Sequence, residues 1–275
     1  MAWWTAWTFR CCCRTSTRRA AERHGFEYVA PMRRIAILGG SGNLARPVIR
    51  RMLPAGYEVR VLTRDPARAA TLLPRGVEIA ACDIRDPESI ARGVDGCQAL
   101  YINLTNPISR KLPDAEVIGT LNAVIAARRA GVERILRISA LGVHAGDSWW
   151  AILHKAEADR AVMECGVPYT IFRPAWFMES LAMFIVGGRL LMSMQSPMQT
   201  WWIAGDDYAR QVVAALERPR SINRVYDVQG QSPMSLGQAA RRFARAWKPR
   251  LTVVTMPAAA RRVMPKCRRA AGVPR

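Results

Sequence analysis

One glycine-rich turn constrains the fold of this chain more than any other segment. In IAILGGSGNLAR (35–46) an apolar run breaks into glycines, and helical spacing resumes from Leu44. Gly40, Gly42 and Ala45 match the Gly-x-Gly-x-x-Gly/Ala pattern that joins a strand to a helix in βαβ units. Such glycines let the backbone approach a pyrophosphate, and amides at the start of the helix can bind its phosphates. The turn therefore predicts a ligand with a diphosphate, although plain strand-to-helix connections share the pattern.

Regular alternation of strand and helix patterns follows this turn. The predicted strands are 33–38, 58–63, 77–81, 98–103, 133–138 and 169–172, and the predicted helices are 43–54, 66–73, 87–93, 114–130 and 150–165. The glycines expected to end these helices in the left-handed conformation are Gly56, Gly76, Gly96, Gly131 and Gly166. Asp65 and Asp86 each precede a proline and are expected to cap the next helix. The pattern predicts an α/β fold, a Rossmann-type doubly wound parallel sheet.

The alternation stops after Pro174, and residues 175–202 are rich in Met, Trp and Phe. A non-repeating lobe in this position commonly builds a substrate pocket, although apolar clusters also serve as plain core. The elements expected here are a helix capped by Asp206 or Asp207, a strand over 224–228 and a helix over 235–247. The predicted organisation is an N-terminal extension (1–31), a dinucleotide-binding core (32–174), a smaller C-terminal substrate lobe interleaved with the core (175–256) and a basic tail (257–275).

The positive charge of the chain is concentrated at its two ends. The formal net charge of +20 divides into +5 for residues 1–34, +4 for residues 35–238 and +11 for residues 239–275. A nucleic-acid footprint normally groups basic residues on a face of the folded part. The nearly balanced centre therefore argues against nucleic-acid binding. The partner expected from the substrate lobe is a small molecule.

Cysteine and histidine spacing predicts neither a disulfide framework nor a metal site. The seven cysteines include no Cys-x-x-Cys pair, and the three histidines lie in no ligand spacing. No apolar run reaches the roughly 18 residues of a membrane span. These features predict a chain without a membrane segment in a reducing, cytoplasmic compartment.

The two ends of the chain are expected to lie outside the fold. Residues 1–31 are Arg-rich and poor in acid, which leaves open a disordered extension, a native start at Met32 or an organelle transit peptide. Residues 257–275 are rich in Ala, Arg and Pro without periodicity, so we expect a disordered or truncated tail.

Arg64 bears on the choice between two nicotinamide dinucleotides. Sites that prefer NAD(H) place Asp or Glu at the end of the second strand, where it binds the ribose hydroxyls. This chain has Thr63 and Arg64 there, about 20 residues past the glycines. Because the planar guanidinium suits a 2′-phosphate, Arg64 favours NADP(H) over NAD(H), unless it only solvates the next helix.

The order of the motifs resembles the atypical short-chain dehydrogenase/reductase proteins, in particular the NmrA-like NAD(P)H-binding group. The matching segments are the turn 39–45, VRVLTRDP (59–66), CDIRD (82–86), ISALG (138–142), HKAE (154–157), PYTIFRP (168–174) and DYA (207–209). The resemblance implies the following contacts: Gly39, Gly42, Asn43 and Leu44 with the pyrophosphate, with Gly40 and Ser41 completing the turn; Asp83 and Ile84 with the adenine; Ser139 and Lys155 with the nicotinamide end. Asp83 has a simpler alternative role, because Asp after a strand commonly opens a turn.

The residue pattern leaves the catalytic chemistry open. Many short-chain dehydrogenases use Tyr-x-x-x-Lys, and counting back from Lys155 places Ala151 at the tyrosine position. Ser139 and Lys155 remain as candidate catalytic residues, with ribose binding as the alternative role of Lys155. Two hypotheses follow. One is an NADPH-dependent reductase of a quinone-like or aromatic acceptor, and the other is a non-catalytic NADP(H) sensor with a protein partner.

Overall fold

The computed structural model describes residues 33–105, 115–143, 150–192, 199–247 and 251–255. The strands, in chain order, are β1 (Arg34–Leu38), β2 (Glu58–Thr63), β3 (Glu78–Ala81), β4 (Ala99–Ile102), β5 (Arg134–Ile138), β6 (Tyr169–Pro174), β7 (Trp176–Phe177), β8 (Ile185–Val186), β9 (Arg189–Met192), β10 (Gln199–Ile203), β11 (Arg224–Val228), β12 (Pro233–Ser235) and β13 (Thr252–Thr255). The α-helices are α1 (Ala45–Met52), α2 (Pro66–Leu72), α3 (Pro87–Val94), α4 (Ala115–Arg129), α5 (Trp150–Glu164), α6 (Gly205–Leu216) and α7 (Leu236–Trp247). Two 3-10 helices cover Met178–Phe184 and Pro219–Ser221.

Seven of the described strands form one parallel sheet in the order β11-β6-β5-β4-β1-β2-β3. The chain builds outward from β1 to β3, then returns to place β4 on the other side of β1. This is the strand order of a doubly wound Rossmann fold, which confirms the predicted fold class.

Successive residues of a strand point to opposite sides of the sheet. Because apolar side chains therefore lie on both faces, helices cover both. Helices α1 and α6 pack on the face that contains Ile37 and Tyr101. Helices α3, α4 and α5 pack on the face that contains Leu38 and Ile102. Strands β1 and β4 are thus buried on both faces, which accounts for their almost uninterrupted apolar sequences.

The predicted turn chemistry is confirmed throughout the repeating region. The glycines with positive φ after these helices are Gly56, Gly76, Gly96, Gly131 and Gly166. Asp65 accepts a hydrogen bond from the amide of Arg68, and Asp86 accepts one from the amide of Glu88, so both cap their helices. The predicted strands and helices of this region are all present, with ends within two residues of the expected positions.

The region after β6 contributes both to the main sheet and to a separate lobe. Helix α6 and strand β11 complete the parallel sheet, whereas β12-β10-β7 and β13-β9-β8 form two small sheets. Leu190, Met192 and Trp202 pack there against Ala240 and Ala244 of α7. The predicted N-terminal extension (1–31) and the tail (257–275) lie outside the described residues.

The predicted cap of α6 is wrong. The helix begins at Gly205, and its first amide donates to the Glu179 Oε1 atom at 2.8 Å. Asp206 and Asp207 instead lie in the first turn, where their charges favour the positive end of the helix dipole. Sequence pattern could not find Glu179, because this cap comes from a distant 3-10 helix.

Replacing Gly39 with alanine is expected to destabilise the fold more than a similar change at Gly76. A Cβ atom at Gly39 would lie 2.2 Å from the carbonyl oxygen of Asn103, and φ is +76°. Gly76 has a φ of +90°, but a Cβ atom added there would meet no other atom within 4 Å. Gly39→Ala is expected to lower the free energy of unfolding by about 2–5 kcal/mol and Gly76→Ala by about 1–2 kcal/mol. Urea unfolding measures both, and equal losses would contradict the role of the close approach.

Candidate functional site

The candidate site lies at the carboxyl ends of the parallel strands, where the strand order reverses. The chain leaves β1 toward β2 on one side and leaves β4 toward β5 on the other. The loops after β1 and β4 therefore diverge and open a crevice, which is where ligands bind in open α/β sheets.

The glycine turn after β1 fits into this crevice only because side chains are missing. The Gly39 backbone passes against the Asn103 carbonyl, which follows β4. A Cβ atom at Gly40 would lie 2.7 Å from the Val61 Cγ2 atom on β2. The amide of Gly42 donates to the Gly39 carbonyl at 3.0 Å and closes the turn, and Gly42 itself is exposed. Neighbouring strands thus hold the turn on two sides and leave its tip open.

The start of α1 is electrostatically suited to an anion. Leu44 is the N-cap residue and makes no side-chain capping bond, and the first turn contains no acidic residue. Arg46 lies in this turn and donates to the Asn43 Oδ1 atom. Burial lowers the pKa of the Arg46 guanidinium, and the charge of Arg50 lowers it further. A cation at the positive end of a helix is unfavourable unless an anion offsets it. Sequence reasoning did not single out Arg46.

Arg64 and Asp83 lie close together because β2 and β3 are paired. Thr63 aligns with Ala81, so the residues after both strands emerge side by side. Arg64 is exposed. The Asp83 carboxylate is held by Arg85, which donates from Nη2 at 2.6 Å and from its backbone amide at 3.0 Å. These bonds from Arg85 lower the pKa of Asp83 to about 2, and the charge of Arg64 lowers it further.

Ile84 packs closely against helix α4 beside this pair. The Ile84 carbonyl accepts a hydrogen bond from the Asn122 Nδ2 atom of α4 at 2.9 Å. The side chains of Ile84 and Leu104 both contact Gly119, where a Cβ atom would lie 2.6 Å from Leu104. A glycine in the middle of α4 therefore lets two apolar side chains approach the helix.

Lys155 is held by a chain of buried charges that we call the buried ion network, formed by Lys155, Glu116, Arg137, Asp159 and Arg173. Lys155 Nζ lies 3.0 Å from Glu116 Oε2, and Arg137 Nη2 donates to Glu116 Oε1 at 2.7 Å. Arg137 Nε donates to Asp159 Oδ1 at 2.9 Å, and Arg173 Nε donates to Asp159 Oδ2 at 3.2 Å. The side chain of Lys155 is 18% exposed, whereas those of Arg137 and Glu116 are fully buried. The network thus runs from the protein interior to a partly exposed ammonium group.

Ser139 is attached to the same network. Its hydroxyl donates to Asp159 Oδ2 at 2.9 Å, and the side chain is buried. With its proton directed to Asp159, this hydroxyl can offer other groups only acceptor lone pairs. The predicted residues Ser139 and Lys155 are therefore linked indirectly, through Asp159, Arg137 and Glu116.

Sequence reasoning did not assign Arg137, Glu116, Asp159 or Arg173 to the site. Arg137 lies within a fully buried strand, and Glu116 comes from the distant helix α4, so no local spacing connects them. Asp159 could have been found, because it follows Lys155 by four residues and shares its helix face.

The buried tyrosine pair of the core, Tyr101 and Tyr208, does not replace the missing acid at Ala151. Ala151 lies one turn before Lys155 on α5. The hydroxyls of Tyr101 and Tyr208 are 3.0 Å apart, but both side chains are completely buried. Burial raises the pKa of both groups, so they stay protonated in the core.

Exposed aromatic and methionine side chains follow β6 at the same edge of the sheet. Trp176 is 48% exposed, and its ring centroid lies 5.9 Å from that of Trp202. Met178 and Met183 are also exposed, whereas Phe177 and Leu181 belong to the core. The Met- and Trp-rich segment is therefore divided between core and surface.

Comparison with known proteins agrees with this geometry. A family model described as NAD(P)H-binding matches residues 39–219, from the glycine turn to just past the end of α6. The chain belongs to the NAD(P)H-binding family. This membership confirms the predicted resemblance to NAD(P)-dependent short-chain dehydrogenase/reductase proteins, and the narrower NmrA-like group is consistent with it.

Among relatives of this NAD(P)H-binding protein, an NAD(P)H azoreductase of Xenophilus azovorans is 28% identical over 77% of the chain and 73% of that protein. Quinone oxidoreductase 2 of Escherichia coli is 24% identical over the same shares. An NADPH-dependent quinone oxidoreductase of Escherichia coli, solved with NADPH, has a TM-score of 0.65 at 21% identity and covers 85% of this chain and 84% of its own. An enzyme of Bordetella bronchiseptica solved with NAD has a TM-score of 0.67 at 18% identity and covers 85% of this chain and 84% of its own.

Two further features of the described residues concern membranes and metals. No described helix has the length and apolar character needed to cross a membrane. Within the same residues, no group of three or more His, Cys, Asp or Glu side chains is arranged to hold a metal ion.

Breaking the buried ion network is expected to cost far more stability than breaking an exposed ion pair. Arg137→Met leaves the buried Glu116 and Asp159 carboxylates without their shared partner, which is expected to lower the free energy of unfolding by about 3–5 kcal/mol. The control Arg34→Gln breaks an exposed pair with Glu58 and is expected to cost at most about 1 kcal/mol. Chemical unfolding compares the two variants. Similar losses would show that the buried network does not stabilise the fold.

Proposed function

We propose that this chain is an NADPH-dependent oxidoreductase that reduces a small quinone-like or aromatic acceptor. The proposal rests on one edge of the sheet. This edge combines the glycine turn, the start of α1 without a side-chain cap, an arginine after β2 and a partly exposed lysine. The first two features suit a diphosphate, the third a 2′-phosphate and the fourth the nicotinamide end of the cofactor. Bound NADPH supplies a hydride to the acceptor.

The residues of the crevice fit the parts of such a cofactor. Glycines at positions 39 and 40 let the backbone turn against Asn103 and Val61, where Cβ atoms would clash. Gly42 at the tip of the turn is exposed, and Arg46 adds a positive charge beside it. The proposed contacts are Gly39, Gly40, Ser41, Gly42, Asn43, Leu44 and Arg46 for the diphosphate, Arg64 for the 2′-phosphate, Asp83 and Ile84 for the adenine, and Ser139 and Lys155 for the nicotinamide end.

Glu116 has the role of a positioning residue in this proposal. Its carboxylate accepts from Lys155 on one oxygen and from Arg137 on the other. Because Arg137 is also bound to Asp159, Glu116 cannot move without breaking buried ion pairs. Lys155 is thereby held in place, and part of its side chain still reaches the surface.

The acceptor class follows from the missing acid and from the exposed aromatic groups. Reduction of a quinone produces an anion that is stabilised by delocalisation and can take its proton from water. Such a reaction does not need the tyrosine that Ala151 replaces. Trp176 offers an exposed ring at the same edge of the sheet, and flat aromatic molecules pack well against such a ring. The azo and quinone reductases among the relatives support the same acceptor class.

A second candidate function is an NADP(H) sensor that changes its affinity for a protein partner. Ala151 favours it, and so does Ser139, whose proton is directed to Asp159 rather than to the crevice. A sensor needs the cofactor contacts described above but no acceptor.

The reductase proposal predicts acceptor-dependent oxidation of NADPH. Absorbance at the NADPH band measures turnover with a panel of quinones and azo compounds. Trp176→Ala is expected to raise the KM for the acceptor about tenfold without changing NADPH affinity, because it removes one stacking face. The control Trp201→Ala removes another partly exposed tryptophan, from a β10 position next to the Trp202 that contacts Trp176. Tight NADPH binding without turnover on any acceptor would leave only the sensor.

The 2′-phosphate contact predicts a cofactor-selective effect at Arg64. Arg64→Ala is expected to weaken NADPH about 10- to 100-fold and NADH by less than about threefold, because only NADPH carries the phosphate. The control Arg68→Ala removes an exposed arginine one turn further along. Tryptophan fluorescence titration gives both affinities. An equal loss for NADPH and NADH at Arg64 would contradict the assignment.

A further inference from the structure

Helix α7 has one apolar face and one strongly basic face. Ala239, Ala240 and Ala244 are buried against the lobe. The residues that line a pocket on the opposite side are Gln238, Arg241, Arg242 and Arg245, which recur at the spacing of one helix face. The arginines are therefore grouped on one surface rather than scattered around the helix.

This surface is concave. The pocket has a volume of about 380 Å³, and Ser232, Pro233 and Met234 from β12 and the preceding loop form its other wall. A volume of this size suits a small ligand rather than an extended polymer. None of these residues belongs to the proposed cofactor crevice.

No acidic group among the described residues pairs with the positive charges in the pocket. Within the ranges that the structure describes, none of the three pocket arginines, Arg241, Arg242 and Arg245, forms a salt bridge. By contrast, Arg51 and Arg129 each pair with an acidic side chain. Arg241 and Arg245 are four residues apart, a spacing at which like charges repel. Binding of an anion would relieve this repulsion.

Two local contacts fix the walls of the pocket. Ser235 and Gln238 form a capping box, in which the Gln238 side chain accepts from the Ser235 amide at 2.8 Å and Ser235 Oγ accepts from the Gln238 amide at 3.3 Å. The Met234 carbonyl accepts from the Trp202 Nε1 atom at 3.2 Å. The start of α7 and the strand facing it are thus held in place before any ligand binds.

We propose that this pocket binds a small, multiply charged anion, such as an organic phosphate or sulfonate, independently of the cofactor crevice. Guanidinium groups bind phosphate and sulfonate oxygens with paired hydrogen bonds, and Ser232 and Gln238 add neutral hydrogen-bonding groups. The concave shape favours a small anion over a nucleic acid, which would need a longer basic surface.

The test is calorimetric titration of the full chain with inorganic pyrophosphate at constant ionic strength. With saturating NADPH present to keep pyrophosphate from the glycine turn, the triple variant Arg241→Gln, Arg242→Gln, Arg245→Gln is expected to bind pyrophosphate at least about tenfold more weakly than wild type. A control triple variant, Arg92→Gln, Arg128→Gln, Arg160→Gln, removes the same charge from exposed positions on α3, α4 and α5. It is expected to bind like wild type, and thermal melting verifies that both variants fold.

The outcomes separate this site from the cofactor site. Unchanged pyrophosphate binding in the first triple variant would place the anion elsewhere and overturn the proposal. Equal weakening in both triple variants would show only general attraction and would also overturn it, as would binding of duplex DNA without binding of pyrophosphate. NADPH affinity is expected to be the same in wild type and in the first triple variant, because the pocket lies outside the cofactor crevice. A protein that proved not to be a reductase could therefore still bind the anion in this pocket.

Discussion

The close approach of two backbone segments at Gly39 is the constraint on which the rest of the structure depends. The chain can cross from β1 to α1 beside β4 only where no Cβ atom meets the Asn103 carbonyl. The same absence of side chains exposes main-chain groups at the tip of the turn. One steric requirement therefore shapes both the junction of the central strands and the part of the crevice that suits a diphosphate.

The buried ion network connects this crevice to the layer of helices α4 and α5. Arg137 on β5 binds Glu116 of α4 and Asp159 of α5, so one guanidinium links the sheet to two helices. Replacing such a network with apolar residues is often neutral for stability, which means that stability alone does not account for it. Its position beneath Lys155 gives it a second role, because it fixes the partly exposed ammonium group proposed to meet the cofactor.

Local chemistry made most of the fold predictable. Glycines in the left-handed region and Asp-Pro caps act within a few residues, so the repeated units could be identified from spacing alone. The cap of α6 by Glu179 and the pairing of Arg137 with Glu116 could not, because both join residues that are distant in sequence. The places of the glycine turn and Arg64, directly after β1 and β2, were predictable from the sequence. The attachment of Ser139 to Asp159 was not, because it depends on how α5 packs on the sheet.

The central claim is that main-chain amides around Gly42 hold the diphosphate of NADPH. Hydrogen–deuterium exchange of the full chain, with and without NADPH, tests it most directly. The account predicts slower exchange in the peptide that spans residues 39–46, together with the residues that follow β2. NADPH binding that leaves exchange in this turn unchanged, or no binding by well-folded protein, would contradict it.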